Sequence, residues 1–310
     1  MIDFNIRHFA HVLGSKKVSY SDFEKKKSNW NMSEVKKKTG INFIYESGKH
    51  EDVLNLSIRS SIKTLKNFDK KKIDAVIVVT QTAKNKLPSI ACMLQNKLKL
   101  NKDIIAYDVN LGCSGFVFAL STLYGFMNTR LTKNILLVCS DTYTKFLDED
   151  NRTCRSIFSD SGSSCIVSSC ESDFEPRFNF FTDGSGSQDL IENNNVINMN
   201  GSEVFVFTTT TVPQLFKSLL KKSNYTIDDI DHFIFHQASK LVLDRLILEL
   251  NIPSKKFHIN YNIIGNTVSA SIPILLEQLE KKKKLKKNNL VMLMGFGVGL
   301  SAAGCIIKWK

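Results

Sequence analysis

Apolar and polar positions along this chain fall into two interleaved rhythms. Runs rich in β-branched and aliphatic residues at 73–79, 104–109, 134–139 and 163–168 read as buried strands. Between them, 88–98 and 114 to about 127 carry the three-to-four-residue spacing of helices. The later part of the chain repeats the theme, with helices predicted over 213–222, 240–250 and 269–283. Strands are predicted there at 232–235, 257–260, 290–294 and 303–309. This alternation predicts an α/β fold whose strands are buried between helices. Both parts contain the order strand, sharp turn with a polar residue, helix, which hints at an internal duplication into halves 1–170 and 171–310. The boundary is placed in the polar, acidic stretch 169–173. The lysine-rich segment 281–289 reads as a helix end and turn, not as a linker.

Composition narrows the picture. With 310 residues, 43% hydrophobic and 23% charged, the chain can build one large core or two tightly joined half-domains. No run of about 18 apolar residues exists, so no membrane span is expected. The start, Met1-Ile2-Asp3-Phe4-Asn5, lacks a basic-then-apolar secretion pattern, and seven scattered cysteines suit a reducing compartment, so a cytoplasmic protein is expected. Cys165 and Cys170 have the wrong spacing for a zinc knuckle. The net charge of +12 lies in separate lysine runs such as Lys25-Lys26-Lys27 and Lys36-Lys37-Lys38, without interleaved aromatics. That pattern fits solvated faces or attraction to an acidic partner and argues against nucleic acid.

Four segments carry candidate chemistry. Cys113 lies in Asp108-Val109-Asn110-Leu111-Gly112-Cys113-Ser114-Gly115-Phe116, where a strand ends, small residues turn and a helix begins. A sulfur at a helix start is drawn toward thiolate, although an inert buried cysteine fits the segment as well. His236 ends a strand and precedes Gln237-Ala238-Ser239, a position that suits a cleft but also an ordinary core histidine. Metal binding with His232 is excluded, because four residues on a strand span roughly 13 Å. Asn266 follows Gly265 in a segment that is equally a plain turn signal. Gly295-Phe296-Gly297-Val298-Gly299 follows a strand and could aim backbone N–H groups at a substrate. No Lys-Ser or Lys-Thr follows to make it a phosphate loop.

Taken together, these segments resemble the β-ketoacyl-acyl-carrier-protein synthase III family of thiolase-type condensing enzymes. The likeness rests on the Cys113 turn, His236-Gln237-Ala238, Gly265-Asn266-Thr267 with Ala270-Ser271-Ile272-Pro273, and the terminal Gly-Phe-Gly-Val-Gly loop. Weaker matches, among them Pro88-Ser89, Ser140-Asp141 and Phe158-Ser159-Asp160, extend it over nearly the whole chain.

The resemblance implies a five-layered αβαβα thiolase fold, a homodimer and an active site between the halves. It implies an acyltransferase reaction of two stages, with Cys113 as nucleophile and His236 and Asn266 assisting decarboxylative condensation with a malonyl thioester. Backbone N–H groups of Cys113 and Val298 would form the oxyanion hole, Phe296 a gate, and Leu87 part of the acyl pocket across the dimer interface. Arg152 and Lys240 would contact substrate. No resident cofactor is implied: coenzyme A or acyl-carrier-protein thioesters are substrates. The chain departs from the family pattern where Glu34 replaces the tryptophan that stacks on adenine. It also carries Ser159 and Ser161 in place of two glycines. The departures at the donor end suggest a specialised member that prefers a carrier protein, with Lys217, Lys221, Lys222, Lys240, Arg245, Lys255 and Lys256 near the docking segment. A non-decarboxylating acyltransferase on the same fold is the alternative.

Overall fold

The computed structural model describes residues 1–310 and contains two principal sheets. The first has five strands in the order Ile2–Leu13, Ser161–Glu171, Asn134–Asp141, Ala75–Val79, Ile105–Val109. Its last three strands pair in parallel, and the two longest pair antiparallel. The second has four, in the order His232–Phe235, Leu290–Gly297, Ser301–Lys308, Arg177–Thr182. Here only the first pair is parallel.

Two helices, Gly115–Asn128 and Ser271–Lys281, lie between the sheets and touch strands of both. Phe116, Val117, Leu120 and Leu123 of the first, and Ile272, Ile274 and Leu276 of the second, have no exposed surface. A helix apolar around most of its circumference is stable only when covered on every side. Val53–Leu65 and Ile90–Leu98 cover the outer face of the first sheet, and Gly201–Ser223, with Lys240–Leu250 beside it, covers that of the second. The result is the five-layered αβαβα arrangement.

Several elements differ from the sequence expectation. Strand Ile2–Leu13 is not apparent in the pattern because the apolar alternation of Ile2, Phe4 and Ile6 breaks after Arg7, where His8 intervenes and Phe9 and Ala10 are adjacent. It carries a bulge between Arg7 and Ala10, with His8 at φ +55°. Helix Gly201–Ser223 begins twelve residues before Pro213, behind a run of four threonines that reads as extended. Thr209 and Thr210 hydroxyls instead bond back to the carbonyls of Phe205 and Val206 at 2.9 and 2.8 Å. Residues 257–260 form no strand, only a single bridge from Phe257 to Phe233. Residues 268–270 form a separate tight turn ahead of Ser271–Lys281.

His232 bonds with His258 and Asn289, not with His236. Its Nδ1 lies 2.9 Å from His258 Nε2, and its Nε2 lies 3.1 Å from Asn289 Oδ1. Asn289 Oδ1 is an acceptor, so His232 carries its proton on Nε2 and takes a bond from His258 Nε2–H. Burial holds both rings below the usual histidine range, His258 at about 4. The unfolded rings take up protons near pH 6.5, whereas in the folded chain His258 resists until about pH 4 and His232 is also held below its ordinary value. Stability from this pair is therefore full above pH 6.5 and lost as pH falls toward 4. Urea midpoints at pH 7.5 and 5 should differ by an amount equivalent to roughly 1–3 kcal/mol, and His258→Gln should flatten part of that slope. An unchanged slope in His258→Gln would remove the pair from this account.

Candidate active site

Both central helices start at the same place, at the ends of the sheets from which the catalytic candidates project. Cys113 lies between strand Ile105–Val109 and helix Gly115–Asn128, His236 directly follows strand His232–Phe235, and Asn266 precedes helix Ser271–Lys281. All three line one cavity of about 690 Å³, together with Phe296 and Gly297. Each is buried, Cys113 at 6%, His236 at 2% and Asn266 at 5% exposure. The fold thus brings together residues more than 150 positions apart in the chain.

The glycine-rich loop closes on Cys113. A Cβ on Gly297 would stand 3.0 Å from Cys113 Cβ and 3.3 Å from its Sγ, so a side chain there would crowd the sulfur. Ser114 Oγ meets Ser301 Oγ at 2.8 Å, and Ser301 Oγ donates to Val298 O at 2.6 Å, which pins this loop to the helix start. The backbone N–H groups of Cys113 and Val298 enter no backbone–backbone hydrogen bond. Val298 itself lines a smaller cavity next to the main one.

His236 is held by its neighbours. Its N–H donates to Met294 O at 2.7 Å, its ring lies edge-on to Phe296 at 5.5 Å, and Nδ1 lies 2.8 Å from Ser271 Oγ. Gln237 N–H donates to Ser271 Oγ at 3.5 Å; with the hydroxyl proton turned to Nδ1, the ring proton sits on Nε2. Burial lowers His236 to about 3, so the imidazole is neutral at physiological pH. Asn266 Oδ1 accepts from Val268 N–H at 2.9 Å, which leaves its Nδ2 hydrogens as donors. Val268 makes that bond with φ +51°, a conformation a β-branched residue adopts only under constraint.

Burial reverses one expectation. The helix start draws Cys113 toward thiolate, but desolvation dominates and pushes the thiol well above its ordinary value. Asp141's charge adds to the rise, and the residue's own N–H opposes it. Asp141 itself is fully buried and raised to about 6 by desolvation, despite accepting from Gln81 N–H at 2.9 Å and Ser269 Oγ at 2.5 Å. At rest Cys113 is therefore a neutral thiol beside a neutral ring.

The outer site is less uniform. Glu34 and Arg152 both line the cavity, as the positions that match the adenine contacts should. Trp30 does not: it is buried against Phe23 at 5.8 Å and supplies no substitute face. Glu34 is tied to Lys37 at 2.7 Å. Lys240 lies outside the cavity, flanked by Ser239 and Leu241 that line it, and pairs with Asp244. Leu87 is 85% exposed and away from the cavity of its own chain. Ser159 fits in place of glycine because its Oγ accepts from Tyr45 N–H at 3.0 Å. Ser271, Asp141, Gln81 and Tyr143 were not singled out for chemistry from sequence, since a lone hydroxyl, carboxylate, amide or phenol carries no motif.

The profile of the 3-oxoacyl-[acyl-carrier-protein (ACP)] synthase III family matches residues 107–184, and the profile of the same family's C-terminal part matches residues 220–309. The chain is 34% identical to a β-ketoacyl-[acyl-carrier-protein] synthase III of Acholeplasma laidlawii, over 83% of this chain and 84% of that one. It is 30% identical to the enzyme of the same name from Fusobacterium nucleatum subsp. nucleatum, over 100% of this chain and 99% of the relative. A 2.1 Å crystal structure of a 3-oxoacyl-(acyl-carrier-protein) synthase III superposes with TM-score 0.95 at 31% identity, covering 99% of each chain. The synthase III structure from Aquifex aeolicus VF5 superposes with TM-score 0.92 at 26% identity, covering 99% of this chain and 100% of that one.

The raised thiol makes a testable statement. Alkylation of Cys113 by iodoacetamide, read by peptide mass so that exposed Cys92 is counted apart, should be slow at pH 7 and still rising at pH 9. A rate that levels off below pH 7 would mean that the helix start outweighs burial.

Proposed function

Since this chain belongs to the 3-oxoacyl-acyl-carrier-protein synthase III family, we propose that it acylates Cys113 and then joins that acyl group to a malonyl thioester with loss of carbon dioxide. The observation that carries this reading is the meeting of a buried thiol, an imidazole and a side-chain amide on one open cavity, with the Val298 backbone N–H, free of any backbone partner, lining the smaller cavity beside it.

In the first stage Cys113 Sγ attacks the thioester carbon, and the carbonyl oxygen takes up negative charge that the N–H groups of Cys113 and Val298 stabilise. The tetrahedral centre collapses, the carbon–sulfur bond to the donor breaks, and the thiol proton ends on the departing thiolate. In the second stage the bond between the malonyl carboxylate and its methylene breaks. Carbon dioxide leaves, and the electron pair moves onto the thioester carbonyl as an enolate. His236 Nε2–H and Asn266 Nδ2–H meet that oxygen as charge develops. The enolate carbon attacks the acyl-Cys113 carbonyl, and the displaced cysteine thiolate takes a proton, returning to the neutral thiol that burial favours. Neutral donors suit this step because a charged imidazolium would already be favoured by the malonyl carboxylate in the ground state.

The donor end supports a specialised member served by a carrier protein. Glu34 places a carboxylate at the cavity where a nucleotide would need an aromatic face, whereas a carrier brings the pantetheine arm without the nucleotide. The docking surface is smaller than its lysine count: Lys240 and Arg245 pair with Asp244 and Glu249, Lys222 bonds Asn179, and Lys256 bonds the Asp228 carbonyl. Lys217, Lys221 and Lys255 remain exposed for an acidic partner. A homodimer follows the same reading. The outermost strand of the first sheet, Ile105–Val109, is half-buried along its length with one edge unpaired, and Leu87 would act in the second copy.

Separating the half-reactions tests the roles. Cys113→Ala should take up no acyl group yet keep slow malonyl decarboxylation. His236→Ala and Asn266→Ala should still acylate while condensing about 10² or more slower. Wild-type condensation in either of the last two variants would refute its role. For the donor, one acyl group should be used with a higher specificity constant from an acidic carrier than from coenzyme A, and the carrier's advantage should shrink at high salt. Preference for coenzyme A, or salt-indifferent carrier activity, would overturn the carrier assignment.

A further inference from the structure

Two cavities adjoin beside the nucleophile. The larger holds Cys113 and opens toward Glu34 and Arg152. The smaller, about 240 Å³, is lined by Gln81, Thr82, Asn110, Phe146, Ile197 and Val298. Tyr143 and Leu190 line both, and so form the wall between them. Tyr143 is 3% exposed, its ring packs on Phe158 at 5.0 Å, and its hydroxyl donates to Gln81 Oε1 at 2.7 Å.

Gln81 is fixed from two sides. Its N–H donates to the buried Asp141 carboxylate at 2.9 Å, and its Oε1 lies so near the Cys113 turn that a Cβ on Gly112 would stand 2.3 Å from it. The sulfur is close enough to Tyr143 that negative charge on one disfavours charge on the other. The wall beside the nucleophile is therefore latched by a buried polar bond. An apolar chain growing from Cys113 into the smaller cavity would have to turn the Tyr143 ring aside. That would leave Gln81 Oε1 without its donor, a costly outcome for a buried acceptor, and would set methylenes against Thr82 and Asn110.

We propose that the Tyr143–Gln81 bond is a chain-length stop: it restricts the acyl group on Cys113 to short chains, and opening it joins the smaller cavity to the acyl site. The proposal rests on the thioester reading above and names the substrate class within it. Gln81 and Tyr143 act here as specificity-determining residues.

The test uses acetyl, butyryl, hexanoyl and octanoyl pantetheine thioesters, which remove the donor question, with intact-mass reading of the rate of adduct formation at Cys113. The wild-type rate should fall at least tenfold between butyryl and hexanoyl. In Tyr143→Ala, and separately in Gln81→Ala, the hexanoyl-to-acetyl rate ratio should rise at least tenfold. Gln81→Ala keeps the backbone bond to Asp141, so the test stands if the larger cavity left by Tyr143→Ala prevents folding. A wild-type rate that is flat through octanoyl, or a ratio unchanged in Gln81→Ala, would overturn the stop while leaving acylation intact. No adduct from any chain length on the wild type would contradict the thioester reading, and the stop with it.

Discussion

The structure depends on burying the apolar faces of two helices between two sheets. Gly115–Asn128 and Ser271–Lys281 pack against strands of both sheets, so neither can slide or turn without exposing apolar surface or opening a void in a close-packed interior. Their starts are consequently fixed, and the chemistry hangs from them. One start carries Cys113; the other carries Ser271, which orients the His236 ring. The Ser114–Ser301 bond then sets the glycine loop against the sulfur. Precision at the site is inherited from packing several turns away.

That packing has an electrostatic consequence. The site excludes enough water that its thiol is raised, its imidazole is lowered to about 3 and its one nearby carboxylate, Asp141, is pushed up to about 6. Nothing beside the sulfur carries a full positive charge at rest. Donors in such surroundings interact weakly with a neutral carbonyl and strongly with an oxyanion, the differential that lowers a barrier. The same neutrality lets a polar pair such as Tyr143 and Gln81 persist within the wall, because each satisfies the other.

Much of this was legible in the chain. The strand at 73–79 is a continuous apolar run because both its faces are buried, and it, the strand at 104–109 and the helix after Cys113 each appear in the structure close to where the pattern places them. Cys113, His236 and Asn266 were each ambiguous alone, and it was the joint order of their segments that carried the family resemblance. What stayed hidden has physical causes. Strand Ile2–Leu13 breaks its alternation at a bulge, and helix Gly201–Ser223 begins with residues whose local preference is extended. The sign of the Cys113 shift depends on the depth of burial, which no turn motif encodes. Glu34's place at the cavity was read from register and agrees with the structure, whereas the loss of Lys240 and Arg245 to neighbouring acids needed coordinates.

The central claim is that the group held on Cys113 becomes the acyl end of a new carbon–carbon bond. A single turnover tests it most directly. Wild-type protein is loaded with trideuterated acetyl, freed of donor and mixed with malonyl pantetheine, and the label is followed by mass. The account predicts that the label leaves Cys113 into 3-oxobutyryl pantetheine, with one carbon dioxide released per label transferred. Label that departs to water, an alcohol or an amine while malonyl pantetheine stays intact would contradict it.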